Sequence, residues 1–202
     1  MPRPNRAALL VITLLTACAA QDQNNGRQLY VEPAADGEWD DVTMIAGELT
    51  FTTIQDAIDA AAPGDTVVVP SGTYTEQVVM AEGVHVDGAG RSETYVVGGF
   101  EFNGFTTETV LSDLSVFDTG YATGGTSYTY DLIVIDGGDA TIRDVGAFYG
   151  RYGIYAYNAD VVSVDSARLG ANWYGANALG TTQFDMANSF VYSGGIGGIV
   201  TY

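Results

Sequence analysis

Residues 142–198 carry a 22-residue repeat and read IRDVGAFYGRYGIYAYNADVVSVDSARLGANWYGANALGTTQFDMANSFVYSGGIGG. The triplets Tyr152-Gly153-Ile154, Tyr174-Gly175-Ala176 and Ile196-Gly197-Gly198 recur at this spacing. Three further columns recur upstream of the glycines, namely Ile142/Val164/Met186, Asp144/Ser166/Asn188 and Ala147/Leu169/Val191. This period is typical of stacked coils, because one such unit is too small to bury its own apolar face.

The short apolar runs within each repeat favour strands, and the constant spacing places each strand on its equivalent in the next coil. A β-sandwich also has short strands, but it would not keep the glycine column in register with the apolar columns. We therefore expect an all-β chain that forms a right-handed parallel β-helix. Gly153, Gly175 and Gly197 should occupy equivalent turns, and Ile142, Val164 and Met186 should form one interior ladder.

A short helix should cover the N-terminal end of the stack. Thr52 and Gln55 have the spacing of a capping box, and apolar residues at helical spacing continue to Pro63-Gly64. We expect the helix over residues 53–62. Asp113-Leu114 and Asp144-Val145 have the same local pattern and lie 31 residues apart, which is nine residues more than one coil. We assign this excess to a projecting loop at residues 120–130.

The N-terminus has the layout of an export signal. Arg3 and Arg6 precede an apolar run from Ala7 to Ala17, which is too short to span a membrane as a helix. The run ends in Leu15-Thr16-Ala17-Cys18, which resembles the bacterial lipobox. The resemblance implies lipidation of Cys18 and sorting to the outer membrane or cell surface. We expect a signal peptide at 1–17, a polar tether at 18–48 and a β-helix domain at 49–202.

The charge of the chain limits its partners. It has 25 acidic residues, seven arginines and no lysine, and removal of the signal would leave a net charge of −20. Such a surface repels nucleic acid and anionic polysaccharide. Cys18 is the only cysteine, so the exported domain would contain no disulfide.

The segment from Thr52 to Gly99 resembles the N-terminal coils of pectin methylesterases and of the wider pectin-lyase-like superfamily. The matching elements are the helix, the Gly72-Thr73-Tyr74-Thr75-Glu76 turn and the Gly88-Ala89-Gly90 turn. The resemblance implies a β-helix. In the esterases two aspartates act on the methyl ester, but Gly153 and Tyr174 stand at the corresponding places here. A glycine and a tyrosine supply no carboxylate, so we assign no catalytic residue and expect no esterase activity.

Six aromatic residues in two successive coils are candidates for carbohydrate binding, because sugar rings stack on Tyr and Trp. They are Tyr149, Tyr152, Tyr155, Tyr157, Trp173 and Tyr174. The alternative is that several of them stack as structural residues of the β-helix. Asp136 and Asp139 are weaker candidates for calcium, which prefers oxygen ligands. No cofactor is required by this assignment.

The sequence thus predicts a surface-anchored lipoprotein that recognises glycans or a cell surface. The alternative is a polysaccharide lyase or hydrolase of the pectin-lyase-like superfamily. The repeat continues to Tyr202 without a capping segment. We therefore expect either a longer natural chain or end-to-end self-association.

Overall fold

The computed structural model describes residues 26–32, 42–45, 48–122 and 130–201. Within these ranges 17 strands form one continuous sheet that winds into a parallel β-helix of about six turns. The strands are β1 Gln28–Val31, β2 Val42–Ile45, β3 Glu48–Phe51, β4 Thr66–Val69, β5 Gly72–Tyr74, β6 Gln77–Val79, β7 His85–Gly88, β8 Thr94–Val97, β9 Gly99–Phe105, β10 Val110–Ser112, β11 Ser115–Phe117, β12 Ile133–Arg143, β13 Gly146–Phe148, β14 Tyr152–Asp165, β15 Arg168–Leu179, β16 Gln183–Ala187 and β17 Phe190–Thr201. The helices are α1 Ile54–Ala60 and α2 Thr119–Ala122.

The coil has three faces, and each face contributes one apolar column to the interior. Face A joins β1, β4, β7, β10, the ends of β12 and β14, and β16. Its column is Leu29, Val67, Val86, Leu111, Ile142, Val164 and Met186. The predicted ladder of Ile142, Val164 and Met186 is confirmed.

Faces B and C follow the same rule. Face B stacks Tyr74, Val96, Val116, Ala147, Leu169 and Val191. Face C stacks Val78, Phe100, Ile133, Ile154 and Ala176. Nearly all of these side chains are excluded from solvent, so burial of apolar surface between successive coils stabilises the stack.

The repeated glycines lie inside strands and not on turns, which corrects our expectation. Gly153 and Gly175 are aligned, since Tyr152 pairs with Tyr174 and Ile154 with Ala176. A Cβ at Gly153 would lie 2.6 Å from the Gly175 carbonyl oxygen, so close approach between coils selects glycine. In the last coil Gly197 pairs with Tyr174 because the register shifts earlier in β15, and Gly198 therefore lies opposite Gly175.

The polar column of the repeat marks the turn between faces A and B. Asp113, Asp144, Ser166 and Asn188 all have positive φ, between 49° and 57°. Asp and Asn tolerate this left-handed conformation better than other residues with a Cβ. At Asp113 this conformation separates β10 from β11.

Helix α1 covers the N-terminal end of the stack, as predicted, but it begins and ends differently. Its N-cap is Thr53, whose hydroxyl accepts a hydrogen bond from the Asp56 amide, so the capping pair lies one residue later than expected. The helix ends at Ala60, before the expected residue 62. Gln55 exchanges two hydrogen bonds with the backbone of Val79 and so closes the free edge of β6.

Part of the range that we expected to be a tether is in strands. Strand β1 pairs with β4 on one side and with β3 on the other, and Leu29 and Val31 are buried. Strand β2 pairs antiparallel with β3. The folded region therefore includes residues before 49, and the side chains of Leu29 and Val31 extend the core. The expected signal peptide and Cys18 lie outside the described residues, as does Tyr202.

Candidate functional site

Four of the six predicted aromatic residues share the outer surface of face C. Tyr155 lies between Ile154 and Ala156, both fully buried, so its ring points outward. It stacks on Tyr152, and Tyr152 stacks on Tyr174, each with ring centroids 4.9 Å apart. Tyr157 follows at 6.4 Å from Tyr155. We call Tyr152, Tyr155, Tyr157 and Tyr174 the tyrosine face.

The other two predicted residues lie at the turn between faces B and C, just before the tyrosine face. Tyr149 has a φ of 67° at the turn between faces B and C and packs on Phe117, with ring centroids 6.4 Å apart. Trp173 lies at the same turn one coil later, where its amide donates to the Gly150 carbonyl, and its side chain is 44% exposed. Trp173 directly precedes Tyr174 in β15, so it lies next to the tyrosine face along the chain.

A cleft of about 520 Å³ adjoins the tyrosine face. Its charged lining residues are Glu76, Glu101, Asp131 and Arg151. Glu101 and the tyrosine face belong to one outer surface, since Glu101 pairs with Val134 and Val134 pairs with Tyr155. The cleft and the stacked rings therefore form a continuous surface along the axis of the stack.

Arg151 and Asp131 form a two-point ion pair in this cleft. Nε of Arg151 donates to one carboxylate oxygen of Asp131 at 2.8 Å and Nη2 donates to the other at 2.5 Å. The hydrogen bond to Asp131 raises the pKa of the Arg151 guanidinium. The guanidinium carbon also lies 5.4 Å from the ring centroid of Tyr152. The pair fixes Arg151 between the cleft and the first ring.

Glu76 is used by the fold. Its two carboxylate oxygens accept hydrogen bonds from the amides of Ile54 and Gln55 at the start of α1. The buried Tyr74, two residues earlier, donates its hydroxyl hydrogen bond to the Pro70 carbonyl. The Gly72-Thr73-Tyr74-Thr75-Glu76 segment thus joins the first coil to its helical cap, which is a structural role.

The projecting loop begins beside the cleft. The fully buried Asp118 accepts hydrogen bonds from the amides of Gly120 and Tyr130, so one carboxylate holds both ends of the loop. The loop was expected at residues 120–130, but residues 120–122 belong to α2, and the rest up to 129 lies outside the described residues. The sequence gave no sign of the role of Asp118, because its bond to Tyr130 joins residues 12 positions apart.

Asp136 and Asp139 lie within β12 and do not point to a common centre. Asp136 is exposed and pairs with Asn103 and Tyr157 in the sheet. Asp139 accepts a hydrogen bond from the Val161 amide. In the parts of the chain that are described, no three acidic, histidine or cysteine side chains gather at one metal position.

Over the described ranges, no helix has the length and apolarity needed to cross a bilayer.

A second aromatic row, which the sequence analysis missed, lies on the outer surface of face B. Tyr95 and Phe148 flank Phe117 at centroid distances of 5.8 Å and 5.4 Å. Phe190 and Tyr192 continue the surface in the last coil, 5.6 Å apart. The signal was available, because Phe117, Phe148 and Tyr192 occupy one column of the repeat.

Comparison with protein families and with curated protein sequences finds no match. Among solved structures, ORF18 of Geobacillus virus E2 aligns with 16% identity over 73% of this chain and 37% of that chain, with a TM-score of 0.39. The chain thus spans about a third of the length of that protein. The fold rests on its own geometry: the chain is a parallel β-helix with coils of about 22 residues and a helical cap at its N-terminal end.

Proposed function

We propose that this chain recognises glycans through the tyrosine face and belongs to the pectin-lyase-like superfamily. The observation that carries the proposal is the row of rings at 4.9 Å from Tyr155 to Tyr152 and from Tyr152 to Tyr174. Tyr152 and Tyr174 are register partners in neighbouring coils, so their separation is the strand spacing of about 4.7–4.9 Å, whereas Tyr155 lies in the same strand as Tyr152. An extended ligand along the stack therefore meets a ring in each of two successive coils. The CH faces of sugars pack on such rings.

The partial exposure of these tyrosines supports binding over a purely structural role, since Tyr152, Tyr155 and Tyr174 are half-buried at the surface. Their backbone neighbours Gly153, Ile154 and Ala156 fill the interior, so removal of a ring would leave the core intact. Tyr157 is 40% exposed. Side chains kept at the surface in this way are available to a ligand, although they also cover one another.

A glycan array with the mature protein tests the proposal, followed by titration of the best ligand against Tyr155→Ala and Tyr174→Ala. Each substitution should weaken binding about tenfold, as loss of an aromatic anchor does. Tyr192→Ala is the matched control, because Tyr192 is 48% exposed but lies on face B. Equal losses in all three variants, or no ligand on the array, would refute a glycan site on the tyrosine face.

A polysaccharide hydrolase is the second candidate, because carboxylates line the cleft beside the rings. Glycoside hydrolysis uses two carboxyl groups, one as an acid and one as a base or nucleophile. Both oxygens of Glu76 and both of Asp131 already accept hydrogen bonds from the protein. Among the described cleft carboxylates this leaves Glu101, which favours recognition over hydrolysis. Release of reducing sugars that depends on Glu101 would favour hydrolysis over recognition. Because no esterase activity is expected, methanol release from pectin should equal the no-enzyme blank.

We also propose that Cys18 is lipidated and anchors the domain at the outer membrane or cell surface. The basic start, the apolar run and the lipobox-like Leu15-Thr16-Ala17-Cys18 support this assignment. Labelling with a palmitate analogue should mark the wild type and not Cys18→Ser. Equal labelling of the two proteins would show that Cys18 does not carry the lipid. End-to-end self-association remains a further proposal, tested by light scattering at increasing concentration.

A further inference from the structure

We propose that the ligand of the tyrosine face is an amine-bearing glycan, such as a polymer of glucosamine, and that Glu101 and Asp136 select it. This inference rests on the proposed glycan recognition and adds the charge of the ligand. It follows from the distribution of acidic and basic groups around the rings. It also explains how so acidic a protein could hold a polysaccharide.

Glu101 and Asp136 both project from the outer surface of face C. Glu101 lies between Phe100 and Phe102, which are buried, so its carboxylate points outward. It is in the same column as Tyr155, two coils away, a distance of about 10 Å from the strand spacing. Asp136 is the direct register partner of Tyr157. The two carboxylates therefore border the tyrosine face.

Neither carboxylate is neutralised by the described part of the protein. Glu101 accepts one long hydrogen bond, 3.4 Å from the amide nitrogen of Gln77. The Asp136 carboxylate has no hydrogen bond or ion pair to any described residue. Both are thus available to a cation from outside.

Among the residues that the structure describes, no basic side chain is placed to pair with these two carboxylates. The chain contains no lysine. Arg27 and Arg91 pair with Asp65 and Asp144, away from face C. Arg143 lies on face A and Arg168 on face B. Arg151, at the edge of the tyrosine face, is already paired with Asp131. The charge of the face therefore remains negative.

A protonated amine on a sugar matches this surface in two ways. It forms an ion pair with Glu101 or Asp136, and it is attracted to the electron-rich faces of the tyrosine rings. A uronic acid would place its carboxylate against these groups and against the acidic protein as a whole. A neutral sugar would stack on the rings and gain nothing from the carboxylates.

Calorimetric titration with three hexasaccharides tests the inference: glucosamine, N-acetylglucosamine and galacturonic acid. The glucosamine hexamer should bind about tenfold more tightly than its N-acetylated counterpart, and the galacturonic acid hexamer should bind least. Each exposed ion pair accounts for a two- to fivefold change, so about tenfold corresponds to two of them. The preference should shrink as the salt concentration rises and at alkaline pH, where the amine is neutral.

Variants separate this inference from the proposed function. Glu101→Gln combined with Asp136→Asn should remove the preference for the amine while affinity for the N-acetylated hexamer persists. Tyr155→Ala should weaken binding of both hexamers. Glu93→Gln is the control, because Glu93 is exposed at the turn between faces A and B and is similarly charged.

Three results would overturn the inference. Equal affinity for the glucosamine and N-acetylglucosamine hexamers would refute selection of an amine, but it would be consistent with glycan recognition. If the preference for the amine persists in the Glu101→Gln, Asp136→Asn double variant, then groups other than these two carboxylates select the amine. Binding of hexalysine as tight as that of the amine sugar, and unaffected by Tyr155→Ala, would reduce the effect to attraction between opposite charges. Absence of binding to any of the sugars would count against the proposed function itself.

Discussion

The ring of Tyr152 stacks on the ring of Tyr174 in the next coil, with centroids 4.9 Å apart and planes 18° apart. The two residues are register partners in parallel strands, and the ring distance equals the strand spacing, about 4.7–4.9 Å. A tyrosine that recurs in two successive coils thus forms a ring pair at the period of the backbone. A 22-residue repeat can in this way order the outer surface of the coil as well as its core.

The interior of the turn beside these rings depends on the buried Asn172. Its Oδ1 accepts from the Gly150 amide and its Nδ2 donates to the Ala147 carbonyl, both at 2.8 Å. Asn172→Ala should lower the free energy of unfolding by about 2–4 kcal/mol, because buried backbone groups lose a partner. Urea denaturation measures the change. Asn103→Ala, at an exposed position, should change stability little, and similar losses in the two variants would contradict this role for Asn172.

The glycines of the repeat should differ in their tolerance of a methyl group. A Cβ at Gly153 would lie 2.6 Å from the Gly175 carbonyl oxygen and 2.7 Å from Nδ2 of Asn172, whereas one at Gly198 meets nothing within 4 Å. Gly153→Ala should therefore cost about 1–3 kcal/mol, and Gly198→Ala should be neutral or slightly stabilising. Thermal unfolding of the two variants measures the difference. Equal melting temperatures would show that close approach is not what selects glycine.

The sequence predicted the coil and its interior columns, because these depend on periodicity alone. It misassigned Gly153 and Gly175 to turns, since the pattern marks a glycine without saying whether φ or close approach requires it. The register shift before Gly197 was also missed, because one additional residue in a glycine-rich stretch leaves the triplet pattern unchanged.

The contents of the cleft could not be predicted from the sequence. Asp131 and Arg151 are 20 residues apart and meet only because the coils stack. The position of β3 beyond β1 is a second such case, since it reverses the order of the chain along face A. Local pattern carries no information on pairings of this kind. The tyrosines were found because they cluster in two successive coils of the sequence.

A pH-dependent contribution to stability should come from Asp65, which joins the first strand to the helical cap. Burial acts to raise the pKa of Asp65, but hydrogen bonds from the Arg27 side chain and from the amides of Ala62 and Arg27 outweigh it, so the pKa is lowered. A lowered pKa in the folded state gives stability that is present above the unfolded pKa of about 3.9. It is lost as the pH falls through the folded value.

Asp65→Asn should therefore lower the free energy of unfolding by about 1–3 kcal/mol at neutral pH, because charge-assisted hydrogen bonds are lost. The gap between variant and wild type should close as the pH falls below about 4. Urea midpoints across this pH range measure it. Asp160→Asn, at an exposed position, should follow the wild type. A gap that stays constant down to acid pH would show that the ionised form of Asp65 is not what stabilises the cap.

Asp118 should control the order of the loop beside the cleft. Its two carboxylate oxygens accept from the Gly120 and Tyr130 amides at 2.6 Å and 3.0 Å, and its side chain is buried. Asp118→Ala removes both acceptors, so these two amides should exchange with solvent deuterium at least about tenfold faster, a loss of about 1.4 kcal/mol of local protection. Asp118→Asn, which keeps one acceptor, should expose one amide more than the other. Amides of Ile133 and Ile135 in the adjacent strand, both fully buried, should be unchanged and serve as the internal control. Exchange as slow in Asp118→Ala as in the wild type would mean that other contacts hold the loop, and faster exchange throughout the strand would mean that Asp118 supports the coil as a whole.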